Sequence, residues 1–193
     1  MRDAAEQQRI TITDPQVMRA LAHPARLAIM EELGTSGAAL TATEAAAVAG
    51  LSPSATSYHL RALARFGLVE EAPSRGDGRE RVWRSTVHSW QVDPGGSADP
   101  ETQAAEGALV DAYLSREVDR IRGWLARIAD EPPEWASGAL MSESVLLLTA
   151  DELKSFNAEL MRLIEPYKRR HRIADPPEGA RTVAVTYKAV PLD

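Results

Sequence analysis

Between positions 52 and 65 the chain places Ser52, Ser54, Ser57, Tyr58, Arg61 and Arg65, with no acidic residue among them. Short hydroxyls bond phosphate oxygens, guanidinium groups bond phosphates or base edges, and a tyrosine adds reach together with a flat apolar face. Spacing decides whether these groups can act together. On a helix, Thr56, Leu60 and Leu63 share one stripe, which is the stripe that faces a core. The opposite face then presents Ser54, Ala55, Ser57, Tyr58, Arg61 and Arg65. Hydroxyls near a helix N-terminus lie where the dipole favours an anion, and longer side chains one turn later reach base edges in a major groove. The face suits double-stranded DNA, with Ser57, Tyr58 and Arg61 as base contacts and Ser52 and Ser54 at phosphates.

A second cationic group follows. Leu68 to Ala72 and Arg79 to Ser85 read as two strands joined through Gly76, Asp77 and Gly78, glycines being suited to the positive φ of a tight hairpin. Arg75, Arg79, Arg81 and Arg84 surround that hairpin, opposed by Asp77 and Glu80. Arginines at a hairpin tip can lie along the phosphate backbone, and Arg75, Arg79 and Arg81 are the candidates. A plain solvated hairpin is the alternative, which its position directly after the helix disfavours.

The elements needed to hold this face are legible upstream. Asp14-Pro15 starts a helix carrying Val17, Met18 and Leu21, and His23-Pro24 breaks it, since a residue before proline is pushed out of helical geometry. Pro24 begins a second helix, with Leu27, Met30 and Leu33 at helical spacing and Gly34 expected to close it. His23 reads as part of this junction rather than as a metal ligand. His59 reads as a packing or hydrogen-bonding residue, and Arg26 as either a phosphate contact or a pin for the junction. Thr41 and Glu44 form a capping box that opens a third helix at Ala42. Ala45, Ala46, Val48 and Ala49 give that helix a small surface for close approach, and Gly50 ends it. Leu51 is expected to plug the turn. Ser52 then caps the next helix, with Pro53 at its first position. Residues 1 to 12 read as a polar arm in which Ile10 and Ile12 pack.

With these residues in place, the stretches ALAHPARLAIMEEL (residues 20–33) and LSPSATSYHLRALARFGLVEE (residues 51–71), followed by the hairpin, resemble the ArsR/SmtB-type winged helix-turn-helix transcriptional regulators of bacteria. The resemblance covers residues 1–90. It implies a winged helix-turn-helix domain that binds DNA. The metal sites of that family use cysteines on the DNA-binding helices, or carboxylate and histidine pairs on the long C-terminal helix. This chain has no cysteine, and no histidine lies between Glu101 and Asp130.

Residues 91–100 are rich in proline, glycine and short polar groups and read as a linker. From Glu101 to Asp130 a long helix is expected, because Val110, Leu114, Val118, Ile121, Leu125 and Ile128 recur at spacings of four, four, three, four and three. That is close to a coiled-coil seam and is read as the dimer interface, a single amphipathic helix packed on its own domain being the alternative. Two-fold symmetry, needed to read paired half-sites, favours the seam. Pro132-Pro133 ends the helix. Ser144 to Leu148 is a candidate buried strand, a helical segment being the alternative for so short an apolar run, and Thr182 to Val190 is expected as a strand. Between them a helix starts at the capping box Thr149–Glu152 and bears Leu153, Phe156, Leu160, Leu163, Ile164 and Tyr167. The basic run Lys168 to Arg172 complements that helix's dipole, with a second phosphate patch as the sharper alternative.

Composition bounds the rest. The absence of cysteine excludes disulfides, thiolate metal sites and cysteine nucleophiles. No stretch approaches a membrane span, and the polar N-terminus lacks a signal core, so a cytoplasmic protein is expected. The net charge of −6 sits oddly with nucleic acid until it is located. From residue 52 to residue 85 six arginines face four carboxylates, and the acidic excess lies mostly downstream. There is no phosphate loop, nucleophile elbow or HExxH, so no enzyme, cofactor or metal is expected.

The fold expected is mainly α with small β, in three parts. Residues 1–90 form a winged helix-turn-helix domain, 91–100 a linker, and 101–193 a long helix with a strand-helix-strand dimerisation region, the candidate seat of an unidentified small-molecule effector. The function expected is sequence-specific DNA-binding transcription regulation by a homodimeric repressor on an inverted-repeat operator. The alternative is a winged helix serving as a protein-interaction module without DNA binding. Such a module would show exposed leucines or valines where this chain has Ser54, Ser57, Tyr58 and Arg61.

Overall fold

A computed structural model describes residues 9–74, 80–87, 89–92 and 99–192. It is mainly helical with small sheets, and it divides into two units, residues 1–116 and 117–193.

In the first unit, α1 (Pro15–Leu21) is capped by Asp14, whose carboxylate accepts the Gln16 N–H at 2.7 Å. Helix α2 (Pro24–Ser36) is capped by the His23 ring, which accepts the Ala25 N–H through Nδ1 at 3.2 Å. It runs straight through Gly34 and ends at Gly37, where φ is 65°. The expected stop at Gly34 is thus corrected. Gly34 is buried, and one interior glycine costs only about 1 kcal/mol, less than the burial of the surrounding turns returns. Helix α3 (Ala42–Ala49) carries both bonds of its capping box, with the Thr41 N–H on Glu44 at 2.7 Å and the Glu44 N–H on Thr41 at 3.1 Å. It ends at Gly50, also left-handed with φ 65°.

Helix α4 (Pro53–Arg65) crosses α3, and a three-stranded antiparallel sheet in the order β2-β4-β3 closes the unit, with β2 at Leu40–Thr41, β3 at Val69–Ala72 and β4 at Val82–Ser85. Three strands had no counterpart in the expectation, β2 and a separate pair: β1 (Arg9–Ile12) runs parallel to β5 (Ser89–Val92), with Ile12 and Val92 as register partners. The polar arm therefore includes a strand.

The core of this unit gathers Met18, Leu21, Ile29, Leu33, Leu60 and Leu63 with Leu68, Val69 and Trp83. Helix α5 (Pro100–Leu125) contributes Ala105 and Leu109 to the same cluster. Ion pairs from Arg19 to Glu101 and from Arg116 to Glu31 (2.7 Å) tie α5 to α1 and α2. The start of the long helix is therefore core material of the first unit, while Val110, Leu114, Val118, Ile121, Leu125 and Ile128 are all exposed.

The second unit holds the end of α5, a 3-10 turn at Ile128–Asp130, α6 (Pro133–Gly138), α7 (Ala150–Ile164) and α8 (Arg169–Arg172). Thr149 and Glu152 form a complete capping box on α7. None of the described residues in 117–192 is buried. Polar latches organise it instead. Arg181 holds Glu131 at 2.6 and 3.3 Å while stacking over Trp135 at 4.8 Å, and Arg127 adds a bond to the same carboxylate at 3.3 Å. Glu117 takes Thr186 at 2.8 Å together with Lys188, and the Tyr187 hydroxyl donates to Asn157 at 3.0 Å.

The expected strands at 144–148 and 182–190 carry no ladder. A strand is stabilised by its neighbour, and within one chain these two segments do not meet as partners. The basic run after α7 is also not a free patch. Lys168 at 2.5 Å, His171 at 2.9 Å and Arg170 converge on Glu165, and bonds from Lys168 and His171 hold that carboxyl down to about 2.

Candidate nucleic-acid interface

Helix α4 is built to show one face and hide the other. Its N-cap Ser52 accepts the Ala55 N–H at 3.3 Å, and the Thr56 hydroxyl donates to the Ser52 carbonyl at 3.0 Å. Thr56, Leu60 and Leu63 are 0% exposed, as the spacing predicts. The opposite face comes out as expected: Ser54, Tyr58, Arg61 and Arg65 are exposed, and Ala55 and Ser57 half-buried. Tyr58 keeps 58% of its surface open. Leu51 departs from expectation. Its N–H bonds the Ala46 carbonyl at 3.1 Å and so completes the end of α3, but its side chain is 37% exposed and plugs nothing.

What locks α4 in rotation is a cluster that spacing could not reveal. His59 is buried, its ring centroid 4.6 Å from that of His23 at the α1–α2 junction. Arg26 donates from Nε to His59 Nδ1 at 3.3 Å and from its terminal nitrogen to the Ala20 carbonyl at 2.8 Å. Arg26 thus pins the junction, to a backbone carbonyl and an imidazole rather than to an acid. Burial first, then the nearby His23 and Arg26, lowers the His59 pKa below its ordinary 6.5. Both histidines accept hydrogen bonds at Nδ1, so the geometry requires that nitrogen to be unprotonated in each ring. The groups are separated by 33 residues in sequence, and the only local hint was the proline after His23.

The hairpin is anchored to the end of α4. The Thr86 hydroxyl donates to the Gly67 carbonyl at 2.6 Å and the Thr86 N–H to the Leu68 carbonyl at 3.2 Å. Within it Glu70 faces Arg84 and Glu71 faces Trp83 across the ladder. Arg84 pairs with Glu70 at 2.6 Å and Arg81 with Glu71 at 2.9 Å. Val82 and Trp83 are buried, while the side chains of both arginines are exposed. Arg75 and Arg79 lie outside the described residues.

Helices α2, α3 and α4, the last capped and outward-facing, together with the hairpin wing that follows define a winged helix-turn-helix. Comparison with known proteins agrees for that part of the chain: residues 21–72 match the family described as Helix-turn-helix domain. A solved structure described as "Crystal structure of Possible transcriptional regulator for arsenical resistance" is 29% identical, over 61% of this chain and 97% of that one, with a TM-score of 0.32. No curated protein matches. Among the described residues no helix is long and apolar enough to cross a membrane, and no three acidic or histidine side chains cluster to hold a metal ion.

Proposed function

We propose that this chain is a sequence-specific DNA-binding transcription regulator that acts as a homodimer, a repressor occluding a promoter at an inverted-repeat operator. One observation carries the proposal. The α4 face bearing Ser54, Ser57, Tyr58, Arg61 and Arg65 has no carboxylate and is open to solvent, while the other side of the same helix is locked into the core. In this reading α4 enters the major groove, with Ser57, Tyr58 and Arg61 at base edges and Ser52 and Ser54 at phosphates. The wing follows the flanking backbone through Arg75, Arg79 and Arg81. The apolar stripe from Val110 to Leu125 on α5, with Ile128 in the 3-10 turn that follows, joins two copies, so that half-sites lie about one helical turn apart.

Selection from random duplex DNA, followed by salt titration of the enriched sequence, tests this. An inverted repeat with a steep salt dependence is expected. Failure to enrich any sequence, with folded protein, sinks the reading in favour of a protein-interaction module. Replacing Arg61 by Ala is expected to cost about 1 to 3 kcal/mol on the selected site and to relax specificity at one position. A uniform loss across sequences assigns Arg61 to phosphate instead.

A further inference from the structure

The second unit lacks the one thing a folded unit needs, an interior. Of its described residues none is buried, and twenty large apolar side chains stay substantially exposed, among them Leu140 (85%), Leu147 (101%), Val185 (69%) and Val190 (73%). Soluble units bury an apolar core, and a patch of this kind marks an interface. Residues 182–190 have strand character without a strand partner. Thr186 and Lys188, two residues apart, both bond Glu117, while Val183 and Val185 on the alternate positions are open. Among the described residues neither 182–190 nor 144–148 makes a backbone-to-backbone hydrogen bond. Exposed, unpaired strand backbone is a template for another chain.

We propose that this unit is half of an intertwined homodimer, in which residues 144–148 and 182–190 find their β-partners and their apolar cover on a second copy. The inference deepens the dimer reading given above. Area favours a second copy as the occupant. At about 100 Å² per apolar side chain the twenty offer roughly 2,000 Å² per chain, so two copies reach the range of obligate homodimers. Val118, Ile121 and Leu125 on α5 are exposed in the same unit.

The test uses the full chain, its mass by sedimentation equilibrium and the hydrogen exchange of its backbone amides. A dimer is expected, with the amides of 144–148 and 183–190 slowed by at least about a hundredfold relative to an unstructured peptide. Leu147→Asp and Val185→Lys alter side chains that are open in the single chain, where surface changes are tolerated. Each is expected to raise the dimer dissociation constant at least about tenfold, with the amides of α2 and α4 still protected as proof of folding. A dimer indifferent to both substitutions, with those amides exchanging freely, overturns the inference and leaves the α5 stripe as the interface. A monomeric wild type overturns both. DNA is absent from these measurements, so the outcome does not depend on whether the chain binds DNA.

Discussion

The two units use the same local devices and reach different ends. Thr41–Glu44 and Thr149–Glu152 are the same capping box, each with both reciprocal bonds, and each opens a helix. The helix after the first buries Ala45 and Ala46 against α2 and α4; the helix after the second buries nothing. In the first unit Leu60, Leu63, Leu21 and Ile29 are 0% exposed. In the second, Glu131, Glu117 and Glu165 gather cations at or near the surface, and exposed ion pairs contribute about 0 to 1 kcal/mol each. Forming helices and closing a core are therefore separate achievements, and only the first unit does both within one chain.

The comparison can be broken most directly in the cores. Leu60→Ala is expected to cost about 2 to 5 kcal/mol in urea unfolding, because it opens a cavity in a packed interior. Leu147→Ala is expected to cost under about 0.5 kcal/mol in a dissociated chain, with the loss growing as the protein is concentrated into dimers. Equal, concentration-independent losses at both sites contradict the contrast. The caps sharpen it. Thr41→Ala is expected to cost about 1 kcal/mol in thermal unfolding. Thr149→Ala is expected to move that transition only at concentrations where the second unit is paired. A matching shift at all concentrations shows that both units unfold as one.

Acid separates the units again. His59 has a lowered pKa, so the unfolded chain takes up a proton before the folded one does. Above 6.5 the ring is neutral in both states and the contribution is absent; as pH falls through 6.5 the folded state loses ground, until it too is protonated. Urea midpoints measured from pH 7.5 to 5.5 are expected to fall, and His59→Gln to flatten the fall. In the second unit Glu165 works in the opposite range. Its carboxyl is held at about 2, so its contribution is complete above the ordinary 4.5 and is lost only as pH drops from there toward 2. The effect is the smallest, since the group is partly exposed, and a carbon-detected titration of Glu165 with a midpoint near 4.5 refutes it.

Much of the first unit was legible because its signals are local. Asp14-Pro15, the Thr41–Glu44 box, Gly50 and Ser52-Pro53 each act within a turn, and the stripe Thr56, Leu60 and Leu63 follows from helical period alone. Gly34 misled because a glycine in a helix is only mildly costly, so burial carried the chain on to Gly37. The pairing of β1 with β5 and the bond from Arg26 to His59 join residues far apart, and no period encodes them. The exposed face of α4 was readable as the remainder of its buried stripe. The strands at 144–148 and 182–190 were read from alternation and apolar runs, which describe what a strand needs from a neighbour without supplying one.

The cross-strand pairs of the wing have a kinetic consequence. Arg81 and Arg84 already hold Glu71 and Glu70, so to take a phosphate each must give up a carboxylate and leave that negative charge beside the backbone. In the proposed function, affinity blind to sequence is therefore lowered at these two arginines. If the chain is the operator-seeking regulator proposed above, low affinity for every other stretch shortens each wrong stop, and the acids beside the two arginines hasten the search.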